Sequence, residues 1–380
     1  MLQTNYDAIV IGLGATGGAA LYHLAKGGSR VLGLDRFQPP HNRGSSHGHT
    51  RIYRQAYYEA PEYVPLAVRA LELWHQLEAD TYRRLFRKTG ALTVAREDNA
   101  LLVGAQTSAQ QHGIAHEILS RAETLKRFPA FMPPRETISL FEPTAGVLFA
   151  DLCVETHLEV AKLAGAAMHL DEAVTSIDQR ADGSVVVKTA KATYGAARVV
   201  VAAGAWTPRL LNLEHAFRVT RETVHWFNSV SPSALAAHCP VSLMALDDGR
   251  MFYSIPDFGD GFKAGLHHSG RTGDAHAAPE SVNAEDAAAV AEVVAQCVPV
   301  AAGPIRASVP CFYTTTADQH FAIGPLPWSP GIVLAAACSG HGFKFAPAIG
   351  EAVAQMVRGQ PTALPMDVFN VSRLGTQLLG

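Results

Sequence analysis

YDAIVIGLGATGGAALYHLAKGGSRVLGLD, residues 6–35, is the stretch from which the rest of the chain can be read. Residues 8–11 are a short apolar, β-branched run, and Gly12, Gly14 and Gly17 follow at G-x-G-x-x-G spacing. An alanine-rich segment then runs to about Lys26, and a second apolar run, 30–34, ends in Asp35. The pattern is strand, tight turn, helix, strand, acid, which is the layout of a dinucleotide cradle. Gly12 permits the turn, Gly14 lets the backbone approach a pyrophosphate, and Gly17 lets the helix sit close to the strand. The helix N-terminus offers free N–H groups and a partial positive charge to the phosphates. Asp35 stands 35 − 17 = 18 residues after Gly17, close to the roughly 20 expected for a carboxylate that accepts from an adenosine ribose. NAD and FAD both use this motif.

The 380 residues correspond to about two domains, and 48% hydrophobic content supports a sizeable core. With a net charge of −3 and no Lys/Arg run, the expected partner is a small molecule, not a nucleic acid or an acidic membrane surface. No apolar run approaches the roughly 18 residues that span a bilayer. The first strand begins within a few residues of Met1, so a cytoplasmic chain without a signal peptide is expected. The five cysteines, 153, 239, 297, 311 and 338, are scattered, which argues against a disulfide framework and a zinc site; no metal is expected.

The loop PPHNRGSSHGHTRIYRQAY, residues 39–57, has no helical or alternating period and no acid, yet it gathers His41, His47, His49, Arg51, Arg54 and Tyr57. Long loops in compact domains are usually functional or disordered; this one suits a phosphate or carboxylate, the alternative being a solvated basic loop. Helical spacing follows over 61–87, with Trp74 in its apolar stripe and read as core. Strands are expected at 90–95, 138–141, 173–177 and 185–189, and a helix at 151–167. The apolar run 198–203 ending in Gly204 reads as a buried parallel strand, with a helix starting near Pro208. Between 216 and 309 the texture becomes alternating, with strands expected at 224–228, 251–255 and 262–266 and a helix at 285–297. Lys263 falls inside the apolar GFKAGLHH. The run 332–337, then Gly340 and Gly342, then Ile349, Val353 and Met356, repeats strand, glycine turn and helix. Lys344 sits at that helix start, where a cation opposes the dipole and marks a functional candidate.

Several of these stretches, in order and at family-like distances, give a resemblance. GLGATG with Asp35, the 39–57 loop followed by EYVPLAVRALELW, FEPTAGVL at 141–148, CFYT at 311–314 and SGHGFKF at 339–345 make the chain resemble the monomeric sarcosine oxidase and N-methyltryptophan oxidase family of FAD-dependent amine oxidases over essentially its full length. The resemblance implies an α/β (α+β overall) fold: a Rossmann-like FAD-binding domain from 1–88, 148–215 and 322–380, with an inserted, mostly antiparallel substrate domain from 89–147 and 216–321. It implies FAD bound through an 8α-S-cysteinyl link at Cys311, with Cys338 a lesser alternative. A neighbouring cation would lower the thiol pKa to supply the thiolate.

By the same comparison Arg54 and Lys344 match the pair that holds the substrate carboxylate, and Lys263 the lysine that promotes reaction of reduced flavin with oxygen. Arg51 matches the arginine beside the ring. Tyr253, His267 and Tyr313 match groups lining the substrate cavity, and Met244 falls in its wall. The cofactor-binding set implied is Gly12, Gly14, Gly17, Asp35, Arg36, Ser45, His47, Thr50, Arg51, Gly204, Cys311, Gly340, His341, Gly342, Phe343 and Lys344. The reaction implied is oxidation of a secondary amino acid, with sarcosine leading, to an imine that water hydrolyses to an amino acid and an aldehyde, with oxygen reduced to peroxide by a monomer. N-methyltryptophan, a cyclic imino acid such as pipecolate or proline, a related FAD dehydrogenase, and a non-enzymatic flavin-binding subunit are the alternatives. The chain departs from the family pattern at His49, where an acid is usual, at Ser46, which replaces a histidine, and at Pro310 and Phe312 beside Cys311.

Overall fold

A computed structural model describes residues 2–277, 281–336 and 339–378. Cys338, with Ala337 at the end of the expected last strand, lies outside the described residues. The fingerprint stretch folds as strand Leu2–Ile11, helix Ala15–Lys26 and strand Val31–Leu34. These strands belong to an eight-stranded sheet whose centre is parallel. There Ser329–Ala336, Thr193–Val201, Leu2–Ile11, Val31–Leu34 and Ala167–His169 lie side by side. At residues 8–11, 31–34, 199–201 and 332–336 both faces are buried, and there the strands read as continuous apolar runs. Ala8 and Val10 point to the face covered by helices, and Ile9 and Ile11 point to the other, packed by Leu213, Phe217 and Val371.

Helices Ala15–Lys26, Ala346–Val357 and Tyr63–Thr81 share the first face. Small residues set their spacing: a Cβ on Gly350 would lie 2.7 Å from Ala19. The helix expected to reach residue 87 ends at Thr81, where Tyr82 takes φ 56 and closes it in the left-handed region. Trp74 is core, as its spacing indicated, and its indole donates to the Lys344 carbonyl at 3.0 Å. The helix read near Pro208 is only Thr207–Leu211.

A nine-stranded sheet takes its strands from residues 91–142 and 218–315. Its ladders are antiparallel except for Val241–Ala245 beside Ala91–Ala95. Period-2 alternation divides its faces. Phe252, Phe262, Ala264, Leu266 and Phe227 pack with Val290, Val293 and Val294 of helix Ala284–Cys297. Tyr253, Lys263 and His267 therefore face the other way, toward the parallel sheet. The strand expected from residue 224 begins at Arg218, because Ile305–Thr315 pairs with its whole length. Among the described residues no helix is long and apolar enough to cross a membrane.

Candidate active site

Between the two sheets runs one continuous cavity of about 480 Å³, a size common for small-molecule sites. One end is the glycine cradle. Gly12 has φ +86, and a Cβ there would lie 2.6 Å from the Ala202 carbonyl oxygen; a Cβ on Gly17 would run into the Gly12 carbonyl. Only glycine allows this strand, turn and helix to pack so closely. Asp35, 6% exposed, accepts from the Leu13 amide at 2.7 Å and the Phe37 amide at 2.8 Å. Burial raises its pKa, and those two amides work against the shift. Ser46 Oγ accepts from the first amide of the helix, Ala15, at 3.1 Å, so the residue that departs from the family pattern occupies the helix N-terminus. Gly14, Arg36 and Gly204 line the same end, and Arg36 reaches His276 at 3.4 Å.

The 39–57 loop then crosses the cavity. Ser45 Oγ donates to the Phe312 carbonyl at 2.6 Å, and Arg51 donates to the Ser45 and Thr50 carbonyls at 2.7 and 2.8 Å while its guanidinium lies 5.7 Å from the Phe343 ring. His47 is buried with Nε2 unpartnered; burial first, then Arg51, pushes its pKa down to about 4. His49 instead turns outward at φ 64 and lies 3.7 Å from Asp260. Lys263 is 3% exposed and donates to the Gly48 and Thr50 carbonyls at 2.6 and 2.8 Å, with Nζ 5.1 Å from the Trp226 ring. Burial and Arg51 push its pKa well below the usual lysine range.

The far end is cationic and aromatic. Arg54 Nη2 lies 3.0 and 2.9 Å from the two Glu59 carboxylate oxygens, and Nη1 donates to the Ala56 carbonyl at 3.0 Å. Burial disfavours the guanidinium charge, yet Glu59 more than offsets it and holds the pKa above its ordinary value. Lys344 Nζ donates to the His341 carbonyl at 2.8 Å and to Tyr57 Oη at 3.1 Å. Burial, reinforced by Arg54, lowers its pKa to about 7. His267 Nδ1 and Tyr313 Oη are 3.0 Å apart. Gly340, at φ +78, lets the SGHGFKF loop press against both: a Cβ there would overlap the Tyr313 ring. Gly342 and Phe343 line the cavity beside it.

Two expectations are corrected. Met244 is fully buried in the core against helix Ala284–Cys297, and its neighbour Leu243, paired with Tyr253, lines the cavity instead. A register displaced by one residue exchanges the two faces of a strand. Cys311 lines the cavity, but its thiol is not activated at rest: burial pushes its pKa up, and Arg51 and Lys263 only partly oppose this, with Glu222 adding to it. Sequence reasoning also missed Glu59, two residues past the end of the loop it described as acid-free, and Trp206, whose buried indole N–H has no partner and lines the cradle end. Among the described residues no group of three His, Cys, Asp or Glu side chains is placed to hold a metal.

These features fit a bound FAD. A cradle that a Cβ would fill, a helix N-terminus, and the unpartnered His47 Nε2 and Trp206 Nε1 provide the backbone approach and polar atoms that a dinucleotide needs.

The family model for FAD dependent oxidoreductase matches residues 7–356. The monomeric sarcosine oxidase of Streptomyces avermitilis is 37% identical over 98% of this chain and 99% of its own length. The N-methyl-L-tryptophan oxidase of Yersinia pestis is 35% identical over 97% and 99%. Among solved structures, a Tyr258Phe variant of NikD, described as an unusual amino acid oxidase, superposes with TM-score 0.85 at 22% identity over 97% of each chain. Glycine oxidase from Geobacillus kaustophilus gives 0.82 at 21%, over 97% of this chain and 99% of its own. At those identities the superpositions establish the fold. The chain belongs to the FAD-dependent oxidoreductase family, in the group that holds the monomeric sarcosine oxidases and N-methyl-L-tryptophan oxidases.

Proposed function

We propose that this protein oxidises small N-methyl amino acids, sarcosine first, using oxygen as acceptor and FAD attached through Cys311. The observation that carries the reading is a pair of buried cations around one aromatic ring. The Arg54 guanidinium lies 4.1 Å and Lys344 Nζ 5.1 Å from the Tyr57 ring centroid, and both side chains line the cavity. An arginine fork suits a planar carboxylate, and a lysine adds a point charge. Sarcosine leads because relatives at 35–37% identity over nearly the whole chain carry that activity in their names.

The residues divide the work by position. Arg54 and Lys344 anchor the substrate carboxylate, Arg54 exchanging Glu59 for it. Tyr313, His267, Tyr253 and Leu243 enclose the amine end and keep water from it. FAD, when bound, supplies the acceptor for the hydride equivalent lost from the neutral amine and passes the electrons to oxygen. Lys263, fixed by two carbonyls at the ring side of the cavity, provides the positive charge that stabilises developing superoxide. Water hydrolyses the released imine to the amino acid and an aldehyde.

A peroxide assay of the purified protein against sarcosine, N-methyltryptophan, pipecolate and proline tests the activity. Stoichiometric peroxide and aldehyde with sarcosine is expected, and no peroxide with any of the four contradicts the reading. Acid precipitation tests the attachment: a yellow pellet with flavin mapped to Cys311 is expected, and flavin released wholly to the supernatant contradicts it.

A further inference from the structure

Strands Arg218–Phe227 and Ile305–Thr315 pair antiparallel, and Glu222 stands directly opposite Cys311. Directly opposed side chains share one face, with Cβ atoms about 5 Å apart. The face is the one toward the cavity, since Val224, two residues along from Glu222, and Tyr313, two along from Cys311, both line it. Glu222 is 3% exposed. Its Oε1 accepts from the Thr220 hydroxyl at 2.7 Å, its Oε2 has no hydrogen-bond partner, and Gly270 covers it so tightly that a Cβ there would overlap the carboxylate. An unpartnered carboxylate oxygen in a protein interior carries a desolvation cost, and none of the roles assigned to the oxidation of an amine uses it.

Its neighbour is a thiol that needs a base. Burial keeps the Cys311 proton on sulfur, and the nucleophile for a carbon centre is the thiolate. Burial likewise raises the Glu222 pKa; the Thr220 hydroxyl acts against the shift, as do the nearby Gly270 and Ser269 amides, which do not reach hydrogen-bond geometry with Oε2. A carboxylate so placed accepts a proton more readily than an exposed one.

We propose that Glu222 Oε2 takes the Cys311 Sγ proton as the thioether to FAD forms; the inference rests on the covalent attachment proposed above. In the balanced step the S–H bond and one C–H bond of the flavin 8α methyl break, and the S–C8α bond forms. The two hydrogens and their two electrons leave on molecular oxygen as hydrogen peroxide, with the thiol proton held on Glu222 in the interval. Arg51 and Lys263, the cations facing Cys311, stabilise the thiolate once it exists. A positioned base contributes about 10²–10⁴-fold.

The test follows attachment, not turnover. Full-length wild type, E222Q and E222D, expressed under riboflavin limitation, are given FAD; samples are acid-precipitated at intervals and flavin is measured in pellet and supernatant. E222Q is expected to bind FAD, seen as quenched flavin fluorescence, but to attach it about a hundredfold more slowly, with E222D in between. A neighbour acting only through its charge has the opposite sign: removing a negative charge favours the thiolate and speeds attachment. E222Q attaching at the wild-type rate or faster overturns the inference alone. A wild type that releases all its flavin overturns the covalent reading and this inference with it. Should E222Q not hold FAD, E222D decides: attachment at the wild-type rate overturns the inference, and slowed attachment with intact FAD binding supports it.

Discussion

Both carboxylate oxygens of Glu59 lie within 3.0 Å of one Arg54 nitrogen, so the arginine assigned to a substrate carboxylate is held by a carboxylate of the protein itself. Glu59 compensates the buried guanidinium charge, and in the proposed function a substrate carboxylate takes its place. Replacing Arg54 with Ala removes charge-assisted hydrogen bonds that contribute about 1.5–3 kcal/mol net, so KM for sarcosine rises about 10- to 150-fold. Steady-state kinetics at saturating oxygen measure it, and an unchanged KM removes Arg54 from substrate binding.

Lys344 gives the site a pH dependence. Its pKa, lowered to about 7 by burial and Arg54 and supported by Glu59, leaves it charged below that pH and neutral above. A carboxylate without an amine, such as methoxyacetate, therefore binds more weakly as pH rises through about 7, by up to about tenfold per unit. Replacing Lys344 with Met flattens the profile. Titration of the flavin spectrum at several pH values reads both, and a wild-type profile flat from pH 6 to 8 refutes the role.

The role proposed for Lys263 predicts that its loss separates the two half-reactions. In Lys263→Met the positive charge is lost while the carboxylate anchors remain. Reduction by sarcosine without oxygen should slow only modestly, and reoxidation by oxygen should slow by about 10²–10³-fold. Equal effects on both rates would assign Lys263 to general flavin positioning.

The glycines of the cradle are not equivalent. A Cβ on Gly17 meets the Gly12 backbone carbonyl, which cannot move, whereas a Cβ on Gly14 lies 3.0 Å from Ser46 Oγ, a hydroxyl that can rotate. Gly17→Ala should lower Tm by about 5 °C or more, while Gly14→Ala keeps the Tm of the FAD-free chain and weakens FAD binding. Calorimetry with and without FAD distinguishes them; equal Tm losses would contradict the contrast.

The cradle was legible because its signals are local: spacing of glycines, an apolar run on each side, and an acid at a fixed distance. The loop that delivers Arg51 and Arg54 was legible as a long stretch without period or acid, and Lys344 as a cation that opposes a helix dipole. What the sequence withheld depends on pairing. Leu243 replaces Met244 in the cavity because register across strand Met251–Ile255 decides which face is inward, and periodicity does not fix register. Glu222 meets Cys311, 311 − 222 = 89 residues further along the chain, only through the antiparallel pairing of strands Arg218–Phe227 and Ile305–Thr315. The raised thiol pKa is a consequence of burial, which no neighbour in sequence reveals.

The central claim is tested most directly by anaerobic mixing of the purified yellow protein with sarcosine while the flavin absorbance is followed. Bleaching within the mixing experiment, followed by return of the colour and one equivalent of hydrogen peroxide when air is admitted, is the predicted result. A flavin that stays oxidised with sarcosine and with every other N-methyl or cyclic amino acid tried would contradict it.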